Sequence, residues 1–534
     1  MTSIRRRRKT ADFDLPRDLN SRLINRFTTC FKLDPTRKGQ VQIDNWLTKY
    51  VSPETDPAEL RRSRATDKWL RTERKNRLTN ARLESSADTM FVEERLSFGK
   101  VLARAQQVIL ETIGASPSLC PLHGGFSGGA TTSRRRVEGH PAFKFLDKAD
   151  VTRDAYQLFF DVIRGTVWQR HIDAHGLDIR VVPGNVMFMV PKSTTIDRAA
   201  AKEPDLNVFL QKIFGEQIHW ALKRKGINLN DQSVNAELAR RGSIDGSLAT
   251  LDLSSASDSV TTSLIRRLLP SDWYYYLSQV RSPYTLVEGE QHCNEMFSSM
   301  GNGFTFQLET LVFYSLAKAS AYCMGIRGAI SVYGDDIIIP TDLTPTLVKV
   351  LDFCGFEVNP VKSFSEGSFR ESCGGWWDDG TNVTPFFLRR PVSRVSDLIL
   401  MLNSLVRWAS VDMPQISLLN RTLSVTKVIQ PVYECLWDEF SGFIPPDLWG
   451  GQDLASRTSL VSGHKPRKEL LDITSEKWLP DEGKYIHWLH TFETRGTASE
   501  SEASATSPTG LARKRRSKQR ERDDLPLFLH WNER

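Results

Sequence analysis

Cysteine is scarce in this chain, seven in 534 residues, and the nearest two in sequence are Cys354 and Cys373. No CxxC pair exists, which excludes thioredoxin-like redox motifs and zinc knuckles. An odd, dispersed set also argues against a disulfide framework and for a reducing compartment. No stretch approaches the ~20 apolar residues that cross a bilayer. The basic residues 5–9 are followed by TADFD rather than an apolar run, so they do not read as a signal peptide. There is no internal repeat at solenoid periods. These absences leave a soluble, intracellular protein with no membrane partner.

Hydrophobic residues make up 40% and charged residues 25% of the chain, the balance of an ordinary folded protein. At about 150 residues per domain, several subdomains are expected. The net charge of +7 is unevenly placed: residues 5–9 carry +5 and residues 513–522 carry +6, leaving −4 for the body. Polyanion binding by the body must therefore come from local patterning. One candidate is Arg61, Arg64, Lys68, Arg71 and Lys75, whose spacing puts them along one side of a helix that could track phosphates or simply face water. Another is Arg134, Arg135 and Arg136, after the Gly-rich turn FSGGA, where a surface loop reads equally well. Residues 495–508 are rich in Ser, Thr, Ala and Glu and lack aromatics, which predicts disorder running into the basic segment.

Acidic residues carry the sharper signal. In ISVYGDDIIIP (residues 330–340), two β-rich runs flank a Gly-Asp step, predicting a hairpin whose turn bears Asp335 and Asp336. Adjacent carboxylates at an apolar tip repel each other unless a cation neutralises them. Upstream, Asp252 ends the apolar run SLATL, and Asp258 follows after small residues. Asp252 and Asp335 together offer two carboxylates from two strands, the minimum for a pair of Mg²⁺ ions about 3.5–4 Å apart. Between them, SSMGNGFTFQLE (residues 298–309) places Gly301 and Gly303 before a long apolar helix beginning at Thr305. A Gly-rich helix entry suits contact with a sugar-phosphate, though a turn leading into a core helix fits the same residues.

The order carboxylate strand, Gly-rich loop with helix, Asp-Asp hairpin resembles motifs A, B and C of right-handed nucleic-acid polymerases. The strings DLSSASD, MGNGFTF and YGDDII resemble more closely the replicase β subunits of positive-strand RNA bacteriophages, the leviviruses. IDRAAAKEP (residues 196–204), DQSVN (231–235) and FRESCG (369–374) agree with it. The resemblance is strong over about 183–390 and weaker elsewhere.

It implies template-dependent RNA synthesis from NTPs by an RNA-directed RNA polymerase, a nucleotidyltransferase that replicates a phage genome. Asp252, Asp335 and Asp336 would hold two Mg²⁺ ions, for which Mn²⁺ can substitute, with Asp336 the weaker ligand. Asp258 would sense the ribose 2′-hydroxyl, with Asn302 and Thr305 as partners. Where many viral polymerases carry Asn four residues after the motif B Thr, this chain has Glu309, so that role is not transferred. Lys192, Arg198 and Lys202 lie in the segment resembling motif F and would neutralise NTP phosphates. Lys362 sits where a general acid would protonate pyrophosphate, or is an ordinary surface lysine. Tyr333 would pack near the primer strand, and the Trp376–Trp377 pair either stacks bases or fills core.

The implied fold is α+β, a right hand with an N-terminal region and fingers (1–215), a palm of antiparallel sheet backed by helices (216–375), a helical thumb (376–494) and a basic tail (495–534). Implied partners are single-stranded RNA template, nascent RNA and NTPs, together with host elongation factors Tu and Ts and a host ribosomal protein, in the cytoplasm of an infected bacterium. A reverse-transcriptase-like polymerase and a non-catalytic RNA-binding protein are the alternatives. Asp258 speaks against the first, and the complete carboxylate set against the second.

Overall fold

The computed structural model describes residues 14–16, 18–32, 36–51, 56–85, 90–93, 96–410 and 438–444. Both basic runs, most of 411–494, and the Leu525–Trp531 segment lie outside the described residues. Helices and small, mostly antiparallel sheets are interleaved, the α+β class.

The central sheet has three strands in the order Ser331–Tyr333, Asp336–Pro340, Leu248–Leu251, all antiparallel. Its strands are rich in Ile, Val and Leu because both faces are covered, and Val332, Ile337, Ile338 and Ile339 are essentially inaccessible. The helix Thr305–Met324 backs this sheet and packs against the helices Phe98–Ile113 and Asp205–Arg224. It is buried on nearly every side, as a helix enclosed by neighbours must be. The helix Thr344–Phe353 follows the sheet, with Pro345 in its first turn and Gly355 just beyond its end at φ 95°. Beside the sheet, Phe369–Ser372 and Gly375–Asp378 form a second hairpin.

A separate four-stranded sheet contains residues 184–191, 197–202, 284–287 and 290–293. Its Gly184–Pro191 and Asp197–Lys202 strands form a long antiparallel hairpin. The 28-residue helix Ala58–Ser85 runs past this hairpin and past the turn that follows Leu251.

The first fifty residues do not join the core of the remaining 1–215 segment. Leu19, Leu23, Phe27 and Trp46 share a separate apolar cluster with Val395, Leu398, Leu402 and Phe440. Phe27 stacks on Trp46 with ring centroids 4.3 Å apart, and Leu388 donates its backbone N–H to the Trp46 carbonyl at 2.8 Å. Thus the N-terminal helices Leu19–Lys32 and Arg37–Asn45 pack with the late helix Val395–Ser410. Among the described residues no helix is long and apolar enough to cross a membrane, and Cys120, Cys293, Cys323, Cys354 and Cys373 are free thiols.

Candidate active site

Asp335 sits at the tip of a two-residue hairpin. Tyr333 pairs with Asp336, and Gly334 takes φ 61° at the first turn position, the placement expected of a II′-type connection. Any side chain at 334 would strike the Phe306 ring, 2.4 Å from its Cβ. In the neighbouring strand Leu251 pairs with Ile337, so Asp252 emerges next to the start of the Asp-Asp strand. Asn359 holds Asp252 in place: its Nδ2 donates to Asp252 Oδ2 at 3.0 Å, and its backbone N–H donates to the Asp252 carbonyl at 2.9 Å.

Crowding of these carboxyls has electrostatic consequences. Burial, followed by the charge of Asp252, pushes Asp335 above the usual carboxylate range. Asp336 is pushed up to about 7 by burial and then by Asp335. Asp336 is turned toward Cys373 and accepts its backbone N–H. Its successor position in the strand makes this necessary, since adjacent side chains leave opposite faces.

No three His, Cys, Asp or Glu side chains converge on one point among the described residues. The donor chemistry nevertheless fits a hard divalent cation. The Asp252 charge raises the proton affinity of Asp335, and Mg²⁺ takes one or two protein carboxylates while keeping waters and phosphate oxygens. Asp252 and Asp335 are therefore the pair suited to hold it.

Cations face this pair. Arg198 pairs in register with Val190, and Lys192 lies in the turn of the same hairpin. Burial, Arg198, Lys68 and Lys362 all lower the Lys192 pKa, opposed by Asp252. Lys362, exposed, exerts its charge on Asp335 as well. Lys202 is placed apart from these groups, at the register of Val186.

Asp258 lies in the short 3₁₀ turn Ser257–Ser259. It borders a small cleft with Trp69, Ala201, Ser299 and Met300. Burial and the nearby Glu73 raise its pKa to about 7, against Lys68, Arg198 and Lys192. Asn76, on the 58–85 helix, donates to the Asp258 carbonyl at 2.7 Å.

The glycines of the 298–303 loop do permit close approach, but to protein. A Cβ on Gly301 would lie 2.2 Å from the Ala201 carbonyl oxygen, and one on Gly303 would lie 3.0 Å from Gln211. Thr305 is buried, and its hydroxyl donates to the Ser299 carbonyl at 2.9 Å. Asn302 accepts the Phe304 N–H at 3.0 Å, while its buried Nδ2 has no partner among the described residues.

Two of the expected RNA-contacting arginines are corrected by burial. Arg61 is 9% exposed, and its Nε donates to Asp197 at 3.2 Å. Arg134 is 5% exposed and donates to the carbonyls of Leu146 and Lys148 at 2.6 and 3.0 Å. Both satisfy buried acceptors and are withdrawn from the surface. Arg64 binds Asp56 and the Thr195 carbonyl, seating the helix on the hairpin turn. Lys75 pairs with Glu357 at 3.6 Å. Lys68, by contrast, points its charge at Lys192 and Asp258. Arg71, Arg135 and Arg136 are exposed.

Tyr333 donates its hydroxyl to the Leu229 carbonyl at 3.1 Å. Trp376 stands edge-on to Phe369, and Trp377 packs against the Leu248–Ile338 cluster. Sequence reasoning missed Asn359, Asn76 and Ser257. It also left Glu309 without a role, although Ser257 donates to Glu309 Oε2 at 2.6 Å.

Comparison with known proteins identifies the family. The family model "RNA replicase, beta-chain" matches residues 35–513. The RNA-directed RNA polymerase beta chain of Enterobacteria phage GA is 36% identical over 461 residues, covering 84% of this chain and 83% of that protein. The corresponding chain of Escherichia phage MS2 is 39% identical, with 68% and 69% covered. The polymerase subunit beta of Escherichia virus Qbeta is 41% identical, with 65% and 59% covered. A crystal structure of the RNA-dependent RNA polymerase of a human picorbirnavirus aligns over 84% of this chain and 95% of that one at 12% identity, but its TM-score of 0.32 is too low to carry an argument. With the family model spanning most of its length and the phage GA protein aligned across more than four-fifths of it, the chain belongs to the RNA replicase beta-chain family.

Proposed function

We propose that this chain is the RNA-directed RNA polymerase of a positive-strand RNA phage, joining NTPs to a growing RNA strand on an RNA template. The observation that carries the reading is the placement of Asp252 and Asp335 at the neighbouring ends of paired strands, with Lys192, Arg198 and Lys68 exerting their charges nearby. This arrangement fits an in-line displacement in which a 3′-hydroxyl attacks the α-phosphate of an NTP. Divalent cations held by Asp252 and Asp335, with Asp336 beside them, would activate the hydroxyl and neutralise the leaving pyrophosphate. Magnesium is the expected ion, and manganese fits the same oxygen donors.

The side chains do the orienting. Asn359 fixes the Asp252 carboxylate. Lys192 and Arg198 bind the triphosphate as charge-assisted donors, with Lys68 extending the cationic wall. Lys202 is assigned the outer end of that path. Asp258 accepts a hydrogen bond from the ribose 2′-hydroxyl, which a deoxyribose lacks, and the free Asn302 amide lies on the loop beside it. Lys362, whose charge reaches Asp335 and Lys192, is the candidate general acid for the pyrophosphate. Arg71, Lys75, Arg135 and Arg136 contact the RNA backbone.

In this reading residues 216–375 are the palm, and the hairpin and 58–85 helix belong to the fingers. The first fifty residues join the thumb that begins near residue 376. Residues 495–534 are a basic tail. Host elongation factors Tu and Ts, and a ribosomal protein, are the partners the family points to, in the host cytoplasm.

Incubation of the purified chain with single-stranded RNA and labelled NTPs, with and without host extract, tests the function. Synthesis is expected with NTPs in Mg²⁺ and not with dNTPs. Asp335→Asn abolishes it while leaving RNA binding nearly intact. Undiminished synthesis by that variant contradicts the assignment.

A further inference from the structure

Glu309 is a buried carboxyl that the mechanism above does not use. It lies one helical turn beyond Thr305, is 4% exposed, and has no Lys or Arg partner among the described residues. Its two oxygens face different motifs. Oε2 accepts the Ser257 hydroxyl at 2.6 Å. Oε1 lies beneath Gly334, 3.2 Å from where a Cβ would stand. The neighbouring Thr310 hydroxyl accepts the Gly334 N–H at 2.9 Å. One turn of the 305–324 helix therefore touches both the catalytic hairpin and the turn that carries Asp258.

That turn needs external support. Ser255 adopts φ 54°, an unfavourable region for a residue with a Cβ. Ser257–Ser259 is a single 3₁₀ turn with no side-chain cap. It is held from one side by Asn76, through the Asp258 carbonyl, and from the other by Glu309, through Ser257. Truncating either support frees the segment whose next side chain is Asp258.

We propose that Glu309 is a positioning residue for sugar selection, acting through the Ser257 hydroxyl to fix where the Asp258 carboxylate meets the ribose. The inference rests on Asp258 as the ribose reader, and its test separates the two.

The measurement is kcat/KM for ATP against dATP on a fixed RNA template, for the full chain and its variants, with thermal melting as a control for folding. Asp258→Asn tests the underlying reading by lowering the ATP preference. Glu309→Ala and Ser257→Ala should each lower the preference by at least about tenfold, chiefly through ATP. The double variant should lose no more than either single one, since both remove the same hydrogen bond. Glu309→Gln, which keeps an acceptor for Ser257, should restore most of the preference. If Asp258→Asn leaves the preference intact, the ribose reading falls and this inference with it. If Asp258→Asn lowers it but Glu309→Ala and Ser257→Ala do not, or their effects simply add, the positioning role alone is overturned.

Discussion

Asp252 and Asp335 come from chain positions far apart, and what sets their separation is backbone pairing. The Leu251–Ile337 register fixes it before any side chain is chosen. Neighbouring polar groups then set direction. Asn359 uses both its side chain and its N–H on Asp252, and partners of metal-ligating carboxylates typically matter 10- to 100-fold. Asn359→Ala is therefore expected to lower kcat by about tenfold with little change in melting temperature, and an unchanged kcat would show that Asp252 orients itself. Burial at this site also makes stability depend on pH. The Glu309 carboxyl titrates at about 8 in the folded chain because burial and Asp335 disfavour its anion, well above an exposed Glu. The folded form holds this proton where the unfolded form has released it, so stability is fully present below the unfolded value and is lost as pH rises through about 8. Asp335, Asp258 and Asp336 are shifted the same way, so the comparison must isolate one group. Glu309→Gln should lose less melting temperature than the parent between pH 5.5 and 9. Parallel curves would remove Glu309 from the account.

Elements here are held by close backbone approaches as much as by apolar packing. Gly301, at φ 117°, lets the 298–303 loop touch the 197–202 strand, and Ala201 donates its N–H to the Met300 carbonyl at 2.8 Å. Gly301→Ala has no space and an unfavourable φ, so it should cut RNA synthesis at least about tenfold by displacing the loop from the hairpin. Gly125→Ala, with open space at its Cβ, should be nearly silent. Equal activity of the two would mean the loop's approach to the strand is dispensable. The same strand shows why part of the site was legible. Local strings such as YGDD and MGNGFTF declare a turn, a close approach and a helix start from neighbours in sequence. The partner in each approach was not declared: Gly301 meets Ala201, and Ser257 meets Glu309 fifty-two positions later. Periodicity placed Arg61, Arg64 and Lys68 on one side of a helix, yet could not say that Asp197 would cover Arg61.

At the scale of the whole molecule, the first and last parts of the described residues share one core. Trp46 is 1% exposed among Phe27, Leu388 and Trp408. Trp46→Ala is expected to cost about 3–5 kcal/mol, lowering the melting temperature of the full chain. A shift of less than a degree would place the N-terminal helices outside the cooperative fold. Composition held no sign of this pairing, because hydrophobic helices advertise a buried face without naming its partner. Charge is the other global feature. With −4 on the body and +6 on residues 513–522, deleting those residues should weaken RNA binding. It should also flatten the salt dependence by about 0.7 in the log–log slope for each phosphate that the tail no longer neutralises, while nucleotide addition on bound template stays unchanged. A reduced rate of addition would assign the tail to the fold rather than to RNA.

The most direct test is anomalous diffraction from crystals of the chain soaked with Mn²⁺ and a non-hydrolysable NTP. Two manganese peaks about 3.5–4 Å apart, bridged by carboxylate oxygens of Asp252 and Asp335 and by the triphosphate, are the predicted result. Manganese bound elsewhere, or Asp252 turned away from Asp335 with no ion between them, would contradict it.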